Sequence, residues 1–272
     1  MNNLYQFHYL SLIQWIGIFI FLSLISYKAK FLSRSGVIAA FSIGSIIIAT
    51  GENWLYPLIL FFTLSSILTR IGAYYKKTAK PESIPRTASQ VLGNGAVATL
   101  SAAGYLLYPD PALIILFLGS VAAATSDTWS TEIGAFSRTQ PRLLTTFQLV
   151  ERGTSGGITI IGLVGGIIGS AALAFSGLFI FDGESGLFYL QSGAISVFIG
   201  GIVGNLFDSF LGVTLQSKNR CVVCGEITEE KLHCGKLTLH SSGSPLLNND
   251  SVNFLCTLAG GFSAVIVWLL YS

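Results

Sequence analysis

The chain has 272 residues, 51% hydrophobic and only 10% charged, with a formal net charge of +2. Soluble domains carry about a quarter charged residues. A mean hydropathy of +0.68, spread over uncharged runs long enough to cross a bilayer, therefore excludes a water-soluble globule. The basic residues follow membrane topology, so no nucleic-acid partner is expected.

The apolar runs predict an all-α polytopic membrane protein with about eight transmembrane helices, seven being the alternative count. Residues 1–272 form a single integral membrane domain in this reading. In chain order the runs cover about 8–27, 35–51, 54–75, 88–107, 111–127, 155–180, 189–216 and 249–271. The second and fifth are short enough to be partial or re-entrant. No basic residue precedes the first run and Lys28 and Lys30 follow it, which suits a retained span better than a cleaved leader. All 15 Lys and Arg fall in the odd-numbered loops, whereas the even loops carry only Glu52, Asp110, Asp182 and Glu184. The positive-inside rule then places the odd loops in the cytosol and both termini on the non-cytosolic side.

The fifth span leads into "TSDTWSTE", with Asp127 and Glu132. Five residues turn a helix through about 500°, leaving these side chains ~140° apart. They can share one ion only if the helix breaks, and that break is expected near Trp129. Just after the span come "QPRLLTT", with Arg142, and "ERGTSGGIT". The latter sets Arg152, Gly153, Thr154, Ser155, Gly156 and Gly157 where the sixth helix begins. A glycine-rich turn feeding a helix N-terminus offers free N–H groups to an anion. "PRTASQVLGNGAVA" before the fourth span repeats the logic with Arg86, Thr87, Gln90 and Asn94. Each arginine could equally be a topogenic or lipid-headgroup contact.

In the sixth span Gly162 and Gly166, and Gly165 and Gly169, lie four apart, as in helices that meet backbone to backbone. In the seventh, Gly204, Asp208 and Gly212 share a stripe. Asp208 lies roughly 12 Å inside its span, where an ionisable group is a functional candidate. No Lys or Arg within the spans is at hand for a structural ion pair. "GGIVGNLFDSF" (200–210) echoes "GSVAAATSDTW" (119–129) when Asp208 is aligned with Asp127. Asp250 opens the last span, as a fourth acid or as a helix cap. Hard oxygen donors gathered on one face suit Mg²⁺, with Asp127 and Asp208 as its ligands.

The last cytosolic loop, 217–248, is an insertion carrying "CVVCGEITEEKLHCG". Cys221, Cys224, His233 and Cys234 are a candidate structural zinc set; free thiols and a disulfide are the alternatives. Cys256, in mid-helix, reads as packing.

"VLGNGAVA", "SDTWSTEIG", "RLLTTFQLVERGTSGGIT", "GNLFDSFLGVTLQ" and "LLNNDSVN" together resemble the transmembrane protein 19 family, from about residue 86 to 255. That family includes the phytyl-phosphate kinases of plants and cyanobacteria, and "CVVC…HCG" is similar to that branch. The resemblance implies a Mg²⁺-dependent enzyme converting phytyl phosphate to phytyl diphosphate, with CTP as donor, in tocopherol and phylloquinone synthesis. It implies a bacterial, cyanobacterial-type plasma or thylakoid membrane. Its motifs mark Asp127, Glu132, Asp208 and Asp250 as metal-linked acids. They mark Asn94 and residues 153–157 as phosphate contacts, with Arg86, Arg142, Arg152 and Ser209 as further partners of substrate. The prenyl tail is expected between the glycine-lined helices. The rival readings are a CTP-dependent lipid cytidylyltransferase and an ion-coupled transporter.

Overall fold

The computed structural model describes residues 2–75, 85–181 and 187–271. Among them eight helices account for most of the chain: α1 (Asn2–Lys28), α2 (Arg34–Thr50), α3 (Leu55–Tyr75), α4 (Ala88–Leu107), α5 (Pro111–Gly134), α6 (Ile160–Ile180), α7 (Leu187–Thr214) and α8 (Asn249–Tyr271). Five stretches are long and apolar enough to cross a membrane: Glu52–Gly72, Pro111–Gly134, Ile160–Ile180, Ser192–Thr214 and Asn249–Tyr271. Ile16–Lys28 and Arg34–Thr50 are shorter apolar helices. α4 falls outside that set because it is rich in small and polar residues. Its Gly93, Gly95, Ala98, Thr99, Ser101 and Ala102 are buried against α2, α5 and α8. A helix facing other helices gains from close approach rather than from lipid-soluble bulk.

Two expected boundaries are corrected. The fifth run is not short: it is one helix of 24 residues, long enough to cross. Pro111 and the Asp110 cap start α5, the Asp110 side chain accepting the Ala112 N–H at 2.8 Å. The helix then continues unbroken to Gly134, and no break occurs at Trp129. No Gly or Pro interrupts 120–133, so nothing in the backbone favours unwinding there. The sixth helix begins at Ile160 rather than 155, with Thr159 as its cap accepting the Gly162 N–H at 3.0 Å. Residues ahead of it form strand β2 (Gly157–Ile158), paired antiparallel with β1 (Arg142–Leu143).

α5 is the hub, touching α3, α4, α6, α7 and α8, and its residues from Phe117 to Ser126 are all buried. Small residues let the neighbours close on it. A Cβ placed on Gly162 would lie 2.8 Å from the Ser130 carbonyl oxygen, and one on Gly165 would lie 2.9 Å from that of Trp129. On the α7 side, a Cβ at Gly204 would lie 2.9 Å from the Cys256 carbonyl oxygen and 2.5 Å from Ala123 Cβ. The glycine seams at Gly162, Gly165 and Gly204 are thus filled by neighbouring backbone, whereas Gly44 and Gly95 line an open cleft described below. Gly204→Val should force α7 away from both α5 and α8. We expect a melting temperature lower by several degrees in detergent, and loss of any activity that needs α5 and α7 in register. An unchanged melting curve would show that the seam can yield.

At one end of the bundle Trp54 packs on Tyr105, Phe117 and Phe181, with ring centroids 5.0, 4.8 and 5.6 Å away. The polar residues gather at the opposite ends of α4, α5, α7 and α8.

Candidate functional site

The site begins with how α5 and α7 are seated. Gly119 and Gly200 both close on Gly260 and Ala264 of α8, and Gly204 rests on Ala123. The two segments that echo each other in sequence therefore occupy equivalent seats on one helix. One turn beyond Ala123 and Gly204 stand Asp127 and Asp208, which this packing brings within electrostatic reach of each other. Among the described residues, Oδ2 of Asp208 is buried without a hydrogen-bond partner. Oγ of Ser126 and Nε1 of Trp129, on the same stretch of α5, are likewise buried and unpartnered. Asn205, one turn before Asp208, is buried too, and a Cβ on Gly166 would meet both its amide and Ser126 Oγ. Both carboxylates are hard oxygen donors, the ligand type that Mg²⁺ takes.

A third carboxylate was not foreseen. Glu229, from the 217–248 insertion, lies within electrostatic reach of Asp208 and accepts a hydrogen bond from the Ser155 hydroxyl. The insertion is a set of short hairpins whose tertiary placement carries Glu229 to the site. Only a sequence pattern that specified that placement could have revealed it.

The glycine-rich loop lies directly on α7. Gly156 and Gly153 take φ of +74° and +88°, and a Cβ on Gly156 would strike the Ser209 carbonyl and Val213. Only glycine satisfies both the left-handed backbone and the close approach. Its N–H groups are less free than expected. That of Gly157 goes to the Thr154 carbonyl at 3.0 Å and that of Thr154 to Glu151 at 3.2 Å. Thr159 caps α6. Arg142 and Arg152 brace the same loop, donating to the Phe147 carbonyl at 2.8 Å and the Ser137 carbonyl at 2.6 Å.

Glu132 and Asp250 do not sit with the Asp127–Asp208 pair in the way expected. With α5 unbroken, Glu132 is turned toward α3, where a Cβ on Gly72 would collide with its carboxylate, and it interacts electrostatically with Arg86. Asp250 accepts a hydrogen bond from Ser89 at the α4–α8 seam. It is not the α8 cap, a role taken by Asn248, whose Oδ1 accepts the Ser251 N–H at 2.9 Å.

Arg86 is the residue whose surroundings are most specific. The turn between α1 and α2 grips its backbone: Arg86 N–H donates to Phe31 at 2.9 Å, and the Ser33 N–H donates to Arg86 at 3.0 Å. Its guanidinium lies 5.9 and 6.0 Å from the ring centres of Phe61 and Phe62. Burial draws this guanidinium below its ordinary pKa range, while the Glu132 carboxylate pulls it back up. Beside it opens a cleft of about 380 Å³ between α1, α2, α3 and α4, walled by apolar side chains such as Phe19, Ile43, Leu58 and Ile59. Arg86, Gln90 and Asn94 supply polar groups to the lining. Gln90 also closes a capping box with Thr87, and Asn94 donates to the Gln90 carbonyl at 3.0 Å.

In the insertion, Cys221, Cys224, His233 and Cys234 place one ligand atom each within 4.8 Å of one another. None of Cys221, Cys224, Cys234 and Cys256 is in a disulfide. Backbone N–H groups around Cys221, that of Cys224 foremost, bring its thiol down to about 6.

Apolar helices of spanning length around a half-buried carboxylate pair define an integral membrane protein. The sequence assigns the family: the chain belongs to the integral membrane proteins designated DUF92, matched over residues 17–261. It is 34% identical over 260 residues to Protein PGR of Arabidopsis thaliana, covering 87% of this chain and 89% of that one. It is 33% identical over 252 residues to an uncharacterized membrane protein of Methanocaldococcus jannaschii, covering 91% and 90%. Protein VTE6, chloroplastic, of Arabidopsis thaliana is 26% identical over 245 residues, covering 87% of this chain and 65% of that protein. No solved structure matches the chain.

Proposed function

We propose that this protein is a prenyl-phosphate kinase, transferring the terminal phosphoryl group of a nucleoside triphosphate, CTP, to phytyl phosphate at the cytosolic membrane face. The observation that carries the reading is the apolar cleft with Arg86 at its lining. Ligand sites are largely apolar pockets of about 300–1,000 Å³ with a few placed polar groups, and a single-chain lipid phosphate needs that combination. The tail lies among the side chains of α1–α4, and the phosphate meets the Arg86 guanidinium. Glu132, which faces Arg86, is five residues along α5 from Asp127, about 7.5 Å of axial rise. In this reading the lipid phosphate and the carboxylate pair lie at the same end of the bundle, on different faces of α5. The likeness to Protein VTE6 and the motif resemblance to phytyl-phosphate kinases point the same way.

An oxygen of the lipid monophosphate attacks the γ-phosphorus in line. A new P–O bond forms, the bond to the β-bridging oxygen breaks, and the nucleoside diphosphate leaves with the electron pair. A phosphate oxygen is already nucleophilic, so positioning and charge neutralisation suffice. Mg²⁺, when bound by Asp127 and Asp208, supplies neutralisation of the donor's terminal phosphates. Ser155 and the 153–157 turn orient the donor, and Arg86 fixes the acceptor. In the associated topology the polar ends of α4, α5, α7 and α8 face the cytosol and both termini face away.

Detergent-purified protein given γ-labelled CTP and phytyl phosphate should place the label in the lipid. Label appearing in pyrophosphate instead would identify a cytidylyltransferase working with the same acids. Label left wholly in CTP, together with solute uptake into proteoliposomes lacking nucleotide, would favour an ion-coupled transporter.

A further inference from the structure

The insertion between α7 and α8 has too little core to hold its own shape. Its strands β3 (Lys218–Arg220), β4 (Ile227–Thr228), β5 (Leu232–His233), β6 (Lys236–Leu237) and β7 (Leu239–Ser242) are two to four residues long. Val222, Val223, Leu232, Leu237 and Leu239 are all exposed. Units below about 40 residues usually rely on disulfides, metals or association with other protein to stay folded. The Sγ atoms of Cys224 and Cys234 are 3.9 Å apart, against about 2.05 Å for a disulfide.

The same atoms have the spacing of a tetrahedral metal shell. With Zn–S about 2.3 Å and Zn–N about 2.0–2.1 Å, tetrahedral angles put ligand sulfurs about 3.8 Å apart and sulfur and nitrogen about 3.5 Å apart. Cys224 Sγ and Cys234 Sγ lie 3.5 and 3.4 Å from His233 Nδ1. The fourth ligand, Cys221, is buried, and its Sγ accepts the Val223 N–H at 3.4 Å. His233 turns its other nitrogen toward Glu226, with Nε2 to Oε2 at 3.8 Å, as metal-bound imidazoles turn theirs toward a carboxylate. Cys234 and Gly235 both have positive φ, 51° and 74°, forming the tight turn between β5 and β6 that presents Cys234 beside His233. Three thiolates and an imidazole are soft donors suited to zinc rather than to the hard cation of the carboxylate pair. Four protein ligands close the shell, which marks a structural site.

We propose that Cys221, Cys224, His233 and Cys234 bind one structural zinc ion, which locks the insertion in the form that presents Glu229 to Ser155 and Asp208. Zinc then acts on the membrane-end site without entering it. The Glu229 side chain is a positioning group: it holds Ser155, and with it the glycine turn, against α7. Zinc content does not depend on the kinase reading, so the two stand or fall separately.

Full-length protein purified in detergent without added metal is expected to carry one zinc per chain by mass spectrometry of the digested sample. The Cys224→Ser/Cys234→Ser double variant should carry a tenth of that or less, and Cys256→Ala the full amount. Chelation of the wild-type protein, followed by hydrogen exchange, should speed exchange at 217–248 and at 153–157, both reversed by adding Zn²⁺. Glu229→Ala, which leaves the Ser155 hydroxyl no acceptor there, should keep its zinc and lose protection at 153–157 alone. Wild-type protein with less than a tenth of an equivalent, or a double variant that retains zinc, overturns the site. Unchanged exchange at 153–157 after chelation, or in Glu229→Ala, overturns the link to Glu229.

Discussion

Asp208→Asn is expected to reduce phosphoryl transfer by about 10²–10³-fold, the range lost when one preorganised electrostatic element is removed from a phosphate-facing site. The fold should survive. Gly204, Gly200 and Gly212 set the course of α7 by backbone contact, and the substitution leaves them in place. Oδ2 of Asp208 has no hydrogen-bond partner to lose, and a second carboxylate, Asp127, lies within electrostatic reach. Removing one of two neighbouring, half-buried carboxyl groups leaves less to desolvate and no mutual repulsion, so the melting temperature should hold or rise. A steady-state assay beside a melting curve in detergent checks both parts. Full activity in the variant would falsify the assignment of this pair to the chemistry. A collapsed melting curve would instead make Asp208 a structural residue.

Arg86→Gln should act on the lipid rather than on the donor. A charge-assisted hydrogen bond contributes about 1.5–3 kcal/mol, so KM for the lipid phosphate should rise about 10- to 100-fold while KM for CTP stays near its original value. Arg86→Lys should restore little. Lysine lacks the planar guanidinium that lies near Phe61 and Phe62 and can hold two phosphate oxygens at once. The backbone bonds of residue 86 to Phe31 and Ser33 do not depend on the side chain, so the α1–α2 turn should keep its place. Equal losses for lipid and nucleotide would move Arg86 out of the acceptor site.

Much of this protein was legible without coordinates. Apolar run length located the eight long helices seen among the described residues, since a bilayer-spanning segment must satisfy its own backbone and so must be helical. A carboxylate deep in a span singled out Asp208, because such a group is costly wherever no cation accompanies it. The 81-residue offset between Asp127 and Asp208 (208 minus 127) paired them before their common seat on α8 was seen. The four metal-type ligands were readable as residue types. The choice among zinc, free thiols and a disulfide was not, because it depends on distances between turns.

Other features were beyond a linear reading. Helical phase separated Glu132 from Asp127, but whether α5 would break between them rested on the packing of five neighbours around an uninterrupted helix. The glycine stripes announced close contact without saying whether the partner was lipid or backbone. The fold filled those of α6 and α7 with the carbonyls of Ser130, Trp129 and Cys256. The cleft is assembled from α1–α4, the first three of which carry little beyond hydropathy, and Glu229 arrives from an insertion more than 70 residues from the serine whose hydroxyl it accepts. Sequence by itself determined the membrane helices and the chemistry of the side chains at their ends, since both follow from local composition and period. Tertiary structure alone decided which of those side chains meet, because contact between helices distant in the chain is set by the shapes of the surfaces that close on each other.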